Sequence, residues 1–276
     1  MSGNARSARG SWVPLLVAGG LLAGCTAAGA DGGPAGRAGA SAHAVPREAA
    51  VTGDATPSGG PSATAAFTPD AALVPRTAGE GRRLLDSVVF AADAWGRGFV
   101  AQDPAESTPG TWAVLDGDCR WTRRKTPKGV LASLSRYSVL PARKGRGAVK
   151  VTAAATAHSS ALGADEQLST TLEEVLRCPE QQPRDGERIT GLNSLGTPFG
   201  AREQDYADDS VLEAGTYVEK GGKAQSYRWM VARLGTIVAA VSVTGGKGHS
   251  EQELQALGAD TLGRMLARAK QQLGGK

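Results

Sequence analysis

The sequence lacks the short motifs that mark most catalytic and metal sites. It has no G-x-S-x-G, H-E-x-x-H or C-x-x-C pattern, no Walker glycine loop and no EF-hand. Histidine is scarce: apart from His43, only His158 and His249 occur, at a predicted strand end and just before a predicted helix. We therefore predict a non-catalytic protein without metal or cofactor. An envelope-acting hydrolase of unrecognised type stays open, because a catalytic triad is defined by geometry and not by residue order.

The apolar run near the N-terminus is too short to cross a membrane. Trp12–Leu22 has eleven residues, whereas a membrane-spanning helix needs roughly 20. The run follows Arg6 and Arg9, and a basic head before a short apolar segment is typical of a secretory signal. We predict that residues 1–24 are a signal peptide that is removed on export.

The predicted signal ends in a sequence that resembles the lipobox of bacterial lipoproteins, Leu22-Ala23-Gly24-Cys25. In a lipobox, an aliphatic residue and two small residues precede the cysteine that receives lipid. The resemblance implies that Cys25 becomes an acylated N-terminus, with palmitate as a typical acyl chain, on the outer face of the cell membrane. Two or more acyl chains give stable anchoring. An ordinary signal peptide with a chance cysteine is the alternative.

Cysteine is as scarce as histidine, with three residues. An exported protein with an odd count would keep one thiol unpaired. If Cys25 carries lipid, Cys119 and Cys178 remain, and an oxidising exterior allows them to form a disulfide. Two buried free thiols are the alternative.

Composition divides the rest of the chain in two. From Thr26 to Pro75, 38 of 50 residues are Ala, Gly, Pro, Ser or Thr, and such a segment buries too little apolar surface to offset the entropy of ordering it. We predict a flexible tether over residues 25–79 and a single folded domain over residues 80–276. The formal net charge of +4 is too small to indicate nucleic-acid binding.

Apolar spacing predicts helices and strands in the first half of this domain. Helical spacing runs from Leu84 to Trp95 and again from Ala164 to Cys178, where Pro179 stops the helix. The second of these helices has its predicted core stripe at Leu168, Leu172, Val175 and Leu176. Extended segments are predicted between the two helices, at Trp112–Leu115, Val130–Leu140 and Val149–His158.

The second half reads as an antiparallel meander followed by a helix. Its predicted strands are Ile189–Leu195, Ser210–Glu219, Ala224–Leu234 and Thr236–Thr244. Ser250 and Glu253 have the spacing of a capping box that begins the last helix. We predict an α+β fold, with a mostly antiparallel sheet and helices packed on one face of it.

A basic run surrounds one tryptophan, Trp121. Cationic side chains beside an aromatic ring suit phosphate or carboxylate groups of a cell-wall polymer, a lipid or a small molecule. Solvated surface charge is the alternative reading of these side chains. The predicted anionic-ligand contacts are Arg120, Arg123, Arg124 and Lys125.

The region from Gly81 to Leu273 resembles the PknH-like extracellular sensor domain of actinobacteria. The likeness rests on Cys119-Arg120-Trp121, the helix Leu172–Pro179, the strand Tyr227-Arg228-Trp229 and the closing helix. It implies an α+β sandwich with a cleft that binds an extracellular ligand without catalysis. Domains of that family tend to carry two disulfides, and this chain can form only one.

These observations predict a lipid-anchored, non-catalytic ligand-binding or sensor-like module on the extracytoplasmic face of the cell membrane. A structural or chaperone-like partner of another envelope protein is a further alternative, and an exposed apolar patch would be its sign. We expect Trp229 to pack in the core, because aromatic strand residues mostly do so.

Overall fold

A seven-stranded antiparallel sheet forms the centre of the computed structural model, which describes residues 67–274. Its strands are β1 (Val100–Glu106), β4 (Val130–Leu140), β5 (Val149–His158), β6 (Glu187–Ser194), β7 (Asp209–Glu219), β8 (Gln225–Leu234) and β9 (Ile237–Gly245). They lie in the order β1-β4-β5-β9-β8-β7-β6. A separate hairpin contains β2 (Thr111–Leu115) and β3 (Trp121–Lys125).

Helices cover both faces of the sheet. The described helices are α1 (Ala78–Val88), α2 (Ala161–Arg177), the short α3 (Glu203–Tyr206) and α4 (Glu251–Gln272). In β9, Val241 and Val243 belong to the core cluster that contains residues of α1 and α4, whereas Val238 and Ala240 belong to the cluster that contains residues of α2. We call these the first and second faces.

The order of helices and strands and the antiparallel sheet agree with the sequence analysis, but the expectation that the helices share one face is wrong. The central strand β9 explains the difference. Eight of its nine residues are buried, and a near-continuous apolar strand is typical of a strand covered on both sides.

The first face carries the main core. Side chains from α1, α4 and the strands meet there without solvent between them, including the fully buried Leu85, Leu134, Met230 and Leu262. Both long helices on this face begin with capping boxes, at Thr77 with Glu80 and at Ser250 with Glu253. The box predicted at Ser250 is therefore confirmed.

The first helix is shorter than its spacing predicts. It ends at Val88, Val89 is extended, and Ala92–Trp95 forms a single 3₁₀ turn. The guanidinium of Arg136 donates to the carbonyl oxygen of Val89 at 2.7 Å, which satisfies backbone that a longer helix would have bonded internally. Val89 and Trp95 are still buried, so the apolar spacing marked the core and not the length of the helix.

The exposed side of α2 corrects a second expectation. Leu168 and Val175 are buried as predicted, but Leu172 is 41% exposed and Leu176 is 84% exposed. On a helical wheel of about 3.6 residues per turn, these two leucines lie to one side of the buried stripe. The opposite side of that stripe carries Glu174, which faces a cavity described below.

Residues 67–77, within the predicted tether, pack against the sheet and α4 wherever contacts are described. The Phe67 amide donates to Asp208, and the Asp70 amide donates to the Leu273 carbonyl oxygen at the end of α4. Residues 1–66, which include the predicted signal peptide and Cys25, lie outside the described residues.

Candidate functional site

A cavity of about 640 Å³ lies on the second face of the sheet. Strands β4, β5, β8 and β9 form its floor, α2 forms one wall, and the β2–β3 hairpin with the loop at Pro183 and Arg184 forms its roof. Its size falls within the range of roughly 300–1,000 Å³ that is usual for small-molecule sites.

The cavity exists because α2 covers only part of the second face. Ala164 and Leu168 of this helix pack over Val211, Val231 and Val238. Toward β4 and β5, the second-face positions carry small side chains that leave space above the floor. These are Ser133, Ser135, Thr152, Ala154, Thr156, Ser242 and Thr244.

The roof is fixed to the end of α2. Cys119 and Cys178 form a disulfide, with 5.6 Å between their Cα atoms, so the predicted pairing is confirmed. Arg177 donates to the carbonyl oxygen of Asp116 at 3.0 Å, and the Trp121 indole N–H donates to the Gln181 side-chain oxygen at 2.8 Å. The guanidinium of Arg177 also donates to the Leu115 carbonyl oxygen at 3.4 Å, so one covalent bond and three side-chain hydrogen bonds hold the hairpin over the sheet.

The roof is also joined to the outer edge of β6. Gln181 exchanges backbone hydrogen bonds with Ile189 of β6, and Gln182 accepts from the Trp121 amide and donates to the Cys119 carbonyl oxygen. The segment after α2 therefore links the sheet to the hairpin. The sheet and the hairpin curl together into an incomplete cup around the cavity.

Aromatic side chains line much of this cup: Trp112, Trp121, Tyr137, Tyr217, Tyr227 and Trp229. Trp229 is only partly buried and borders the apolar cluster under α2. The expectation that it is a core residue is therefore wrong, because its side chain points to the second face at the position where α2 no longer covers the sheet. The cup offers broad apolar contact surfaces together with polar groups, as ligand sites do.

The structure brings only one of the four predicted anionic-ligand residues to the cavity. Arg123 lines it, but its guanidinium donates to the side-chain and backbone oxygens of Thr111 at 2.9 Å. Arg120 is exposed and pairs with Asp185 at 3.0 Å. Arg124 and Lys125 are exposed and are not among the lining residues. The basic run therefore does not form one surface, since Arg123 lies at the cavity while Arg120, Arg124 and Lys125 are exposed to solvent.

A lysine on the cavity floor is held by acidic neighbours. The Lys150 ammonium donates to Glu219 and lies 3.9 Å from Glu187. It also stands over the Tyr217 ring, 5.5 Å from the centroid. Burial lowers the pKa of Lys150, while Glu187 opposes that effect. This cation is therefore already engaged by the protein.

Two carboxyl groups near the α2 wall, Glu174 and Glu213, form no salt bridge among the described residues. Glu174 lines the cavity, and Glu213 lies on β7 with only 2% of its surface exposed. Burial raises the pKa of Glu174 to about 7, with Arg177 and the Leu115 amide working in the opposite direction. Burial, reinforced by repulsion from Glu174, raises the pKa of Glu213 to about 8. The pair holds protons near neutral pH.

The two histidines in the described part of the chain do not form a catalytic pair. His158 is buried, its Nε2 lies 2.7 Å from the Gln167 oxygen, and burial lowers its pKa. His249 contacts the Gly147 carbonyl oxygen and Arg146. Within residues 67–274, neither ring hydrogen-bonds to Ser, Cys, Asp or Glu, and no group of three or more His, Cys, Asp or Glu side chains could hold a metal ion.

No family model fits the chain, and no curated protein is significantly similar to it. Among the residues that the structure describes, no helix is both long and apolar enough to span a bilayer.

Sequence reasoning singled out Trp121, Tyr227 and Trp229 through the family resemblance, although it expected Trp229 in the core, and it missed the carboxyl pair. Glu213 had a local signal, since it is an acidic residue at a position where strand alternation in β7 points to the same face as Val211 and Tyr217. Glu174 had none, because helix α2 also carries Glu166 and Glu173 on its surface.

Proposed function

We propose that the chain is a lipid-anchored extracytoplasmic protein whose folded part binds a small, partly apolar molecule without chemical conversion. The observation that carries the proposal is the aromatic-lined cavity between the second face, α2 and the hairpin. Its mixture of tryptophans, tyrosines and small hydroxyl side chains suits a ligand that buries an apolar body and presents a few polar atoms.

The sensor-like role is part of this proposal and is supported by the resemblance noted in the sequence. The cavity contains some of the residues on which that resemblance rests, since Trp121, Tyr227 and Trp229 line it and Cys119 and Cys178 hold its roof. Anchoring through Cys25 is supported by the lipobox resemblance.

The ligand-binding part is tested by filling the cavity. In the full chain with Cys25→Ser, we expect the neutral fluorescent probe N-phenyl-1-naphthylamine to bind with a saturable increase in emission. Ala154→Trp should abolish this binding, because Ala154 lies on the cavity floor. Glu173→Trp, on the exposed side of α2, is the matched control and should bind the probe normally. Normal binding by Ala154→Trp would contradict the proposal.

Anchoring is tested by fractionating cells that express the chain with its native Cys25 or with Cys25→Ser. We expect the native chain in the membrane fraction and the variant in the soluble fraction, because only a lipidated N-terminus holds the protein at the bilayer. Membrane retention of Cys25→Ser would contradict the lipoprotein assignment and leave the cavity proposal untouched.

A further inference from the structure

The basic side chains of the cavity are largely occupied by the protein itself. Arg123 is bonded to Thr111, Arg177 to backbone carbonyl oxygens of the roof, and Lys150 to Glu219. Arg184 is exposed and its guanidinium lies 4.9 Å from the centre of the Tyr137 ring. The cavity therefore offers an anion few donors that are both buried and free.

The two carboxyl groups near the α2 wall differ from these basic side chains. Among residues 67–274, neither Glu174 nor Glu213 takes part in a salt bridge, and Oε1 of Glu213 is buried without any hydrogen-bond partner. Leaving a buried carboxyl oxygen unpaired is costly. Replacing such a group by an uncharged residue of similar size often stabilises a fold. A carboxyl kept in this position is most easily explained by a partner that arrives with the ligand.

The placement of the pair suits a cation. Glu213 lies directly opposite Trp229 in the β7–β8 register and on the same face as Tyr217, but it is buried behind the residues that line the cavity. Trp229 and Tyr217 line the cavity together with Glu174. Carboxylates beside the faces of aromatic rings form the usual setting for an ammonium group, because both attract positive charge.

We propose that the ligand is an organic cation with an apolar body, whose ammonium group sits against Glu174 and is attracted by the charge of Glu213 behind the cavity lining, while the body lies along Trp229 and the small side chains of the floor. This inference rests on the proposed ligand-binding function and names the class of molecule bound.

Proton linkage gives the proposal a distinctive signature. Near neutral pH the free pair holds at least one proton, since the pKa values of Glu174 and Glu213 are about 7 and about 8. The groups that face the pair are Arg177 on α2, the Leu115 amide of the roof and Tyr227 on β8. A bound ammonium favours the ionised carboxylates, so binding should release a proton to solvent.

The test compares three probes with the same apolar chain: octylammonium, octanol and octanoate. Isothermal titration calorimetry of the full chain with Cys25→Ser, in two buffers of different ionisation enthalpy, measures affinity and proton release together. We expect octylammonium to bind at least roughly tenfold more tightly than the other two and to release about one proton at pH 7. Its affinity should rise roughly tenfold from pH 6.5 to pH 7.5, while that of octanol stays constant.

Two variants locate the effect. Glu213→Gln and, separately, Glu174→Gln should each weaken octylammonium binding roughly tenfold and reduce proton release, with octanol binding unchanged. Glu173→Gln, at a carboxyl on the exposed side of α2 that does not line the cavity, is the matched control and should leave octylammonium binding near that of the parent chain. The glutamines are nearly isosteric, and the two single variants give independent readings if one of them folds poorly.

The outcomes separate this inference from the function beneath it. Octanol or octanoate binding as tightly as octylammonium overturns the cation assignment and leaves the cavity function standing. Octylammonium binding that is unchanged in both glutamine variants also overturns it. If none of the three probes binds, the cation assignment is overturned. If N-phenyl-1-naphthylamine also fails to bind, the cavity function is overturned as well.

Discussion

The two faces of the sheet are packed in opposite ways. On the first face, α1 and α4 press against large apolar side chains such as Leu134 and Met230, and the contact is dry. On the second face, α2 covers a small apolar cluster and leaves a cavity floored by serine, threonine and alanine. Neighbouring residues of one strand point to opposite faces, so that one packs in the apolar core and the next lines the cavity. The first face supplies most of the stability, and the second can then accommodate unfavourable groups such as Glu213.

The largest test removes the covalent closure of the second face. Changing Cys119 and Cys178 together to serine should lower the free energy of unfolding by about 4 kcal/mol, as expected for a disulfide that closes a loop of this length. The two residues are 59 positions apart. Urea unfolding of oxidised wild type and the double variant measures the loss. An unchanged midpoint would show that hydrogen bonds alone hold the roof.

The next test compares the contributions of the two faces to stability, using neighbouring positions in β4. Leu134→Ala should cost about 3 kcal/mol of unfolding free energy, because a fully buried leucine leaves a void in the first-face core. Ser135→Ala, at the next position and lining the cavity, should change stability by less than about 1 kcal/mol. Probe binding should survive in the leucine variant below its melting temperature. Similar losses from both substitutions would contradict the division of roles between the faces.

A third test uses pH. The pKa of Glu213 rises from its usual 4.5 to about 8 in the fold, so between these values the folded chain holds a proton that the unfolded chain has released. Stability must then fall as pH rises. From pH 6 to pH 7 the share of Glu213 is up to about 1.4 kcal/mol of unfolding free energy. Glu174 adds to the same trend.

The control for the pH test is a substitution at another carboxyl group of the second face. Glu213→Gln should flatten the decline of urea midpoints between pH 6 and pH 7, while Glu187→Gln should leave it in place. A Glu213→Gln protein with the full wild-type decline would show that Glu213 is not the group that titrates.

The smallest effect is expected from the exposed part of the basic run. Arg124→Ala and Lys125→Ala should each change stability by less than about 0.5 kcal/mol, because both side chains are exposed. Neither should alter octylammonium or octanoate affinity. Weaker octanoate binding in these variants, measured by the same calorimetry, would revive an anionic-ligand surface on β3.

Alternation and turn chemistry made much of the sheet predictable. The bounds of β4 and β5 match the sequence expectation, and the meander from β7 to β9 differs by one residue at several ends. The missed strands have weaker patterns. β1 lies at a sheet edge and contains Pro104, and β3 is short and rich in charge, so it has little apolar alternation. Edge strands bury only part of their surface and so leave less of a pattern in the sequence.

The cavity was far less predictable than the sheet. Trp121, Tyr227 and Trp229 were recognised as worth locating, but whether a strand residue meets the core or a cavity depends on how far α2 extends across the second face. That extent is a tertiary property. The helical pattern assigned Leu172 to the core for the same reason, since spacing alone does not show the width of the surface against which a helix packs.

The way the roof joins β6 also affects how the molecule meets its neighbours. A free sheet edge presents unpaired amides and carbonyls that can template strand addition and aggregation. At β6, the bonds between Gln181 and Ile189 occupy part of that edge. At the far side, Pro104 interrupts β1, where an amide is missing. Both borders of the sheet are thus blunted against strand addition, one by the segment that joins β6 to the roof and the other by a proline.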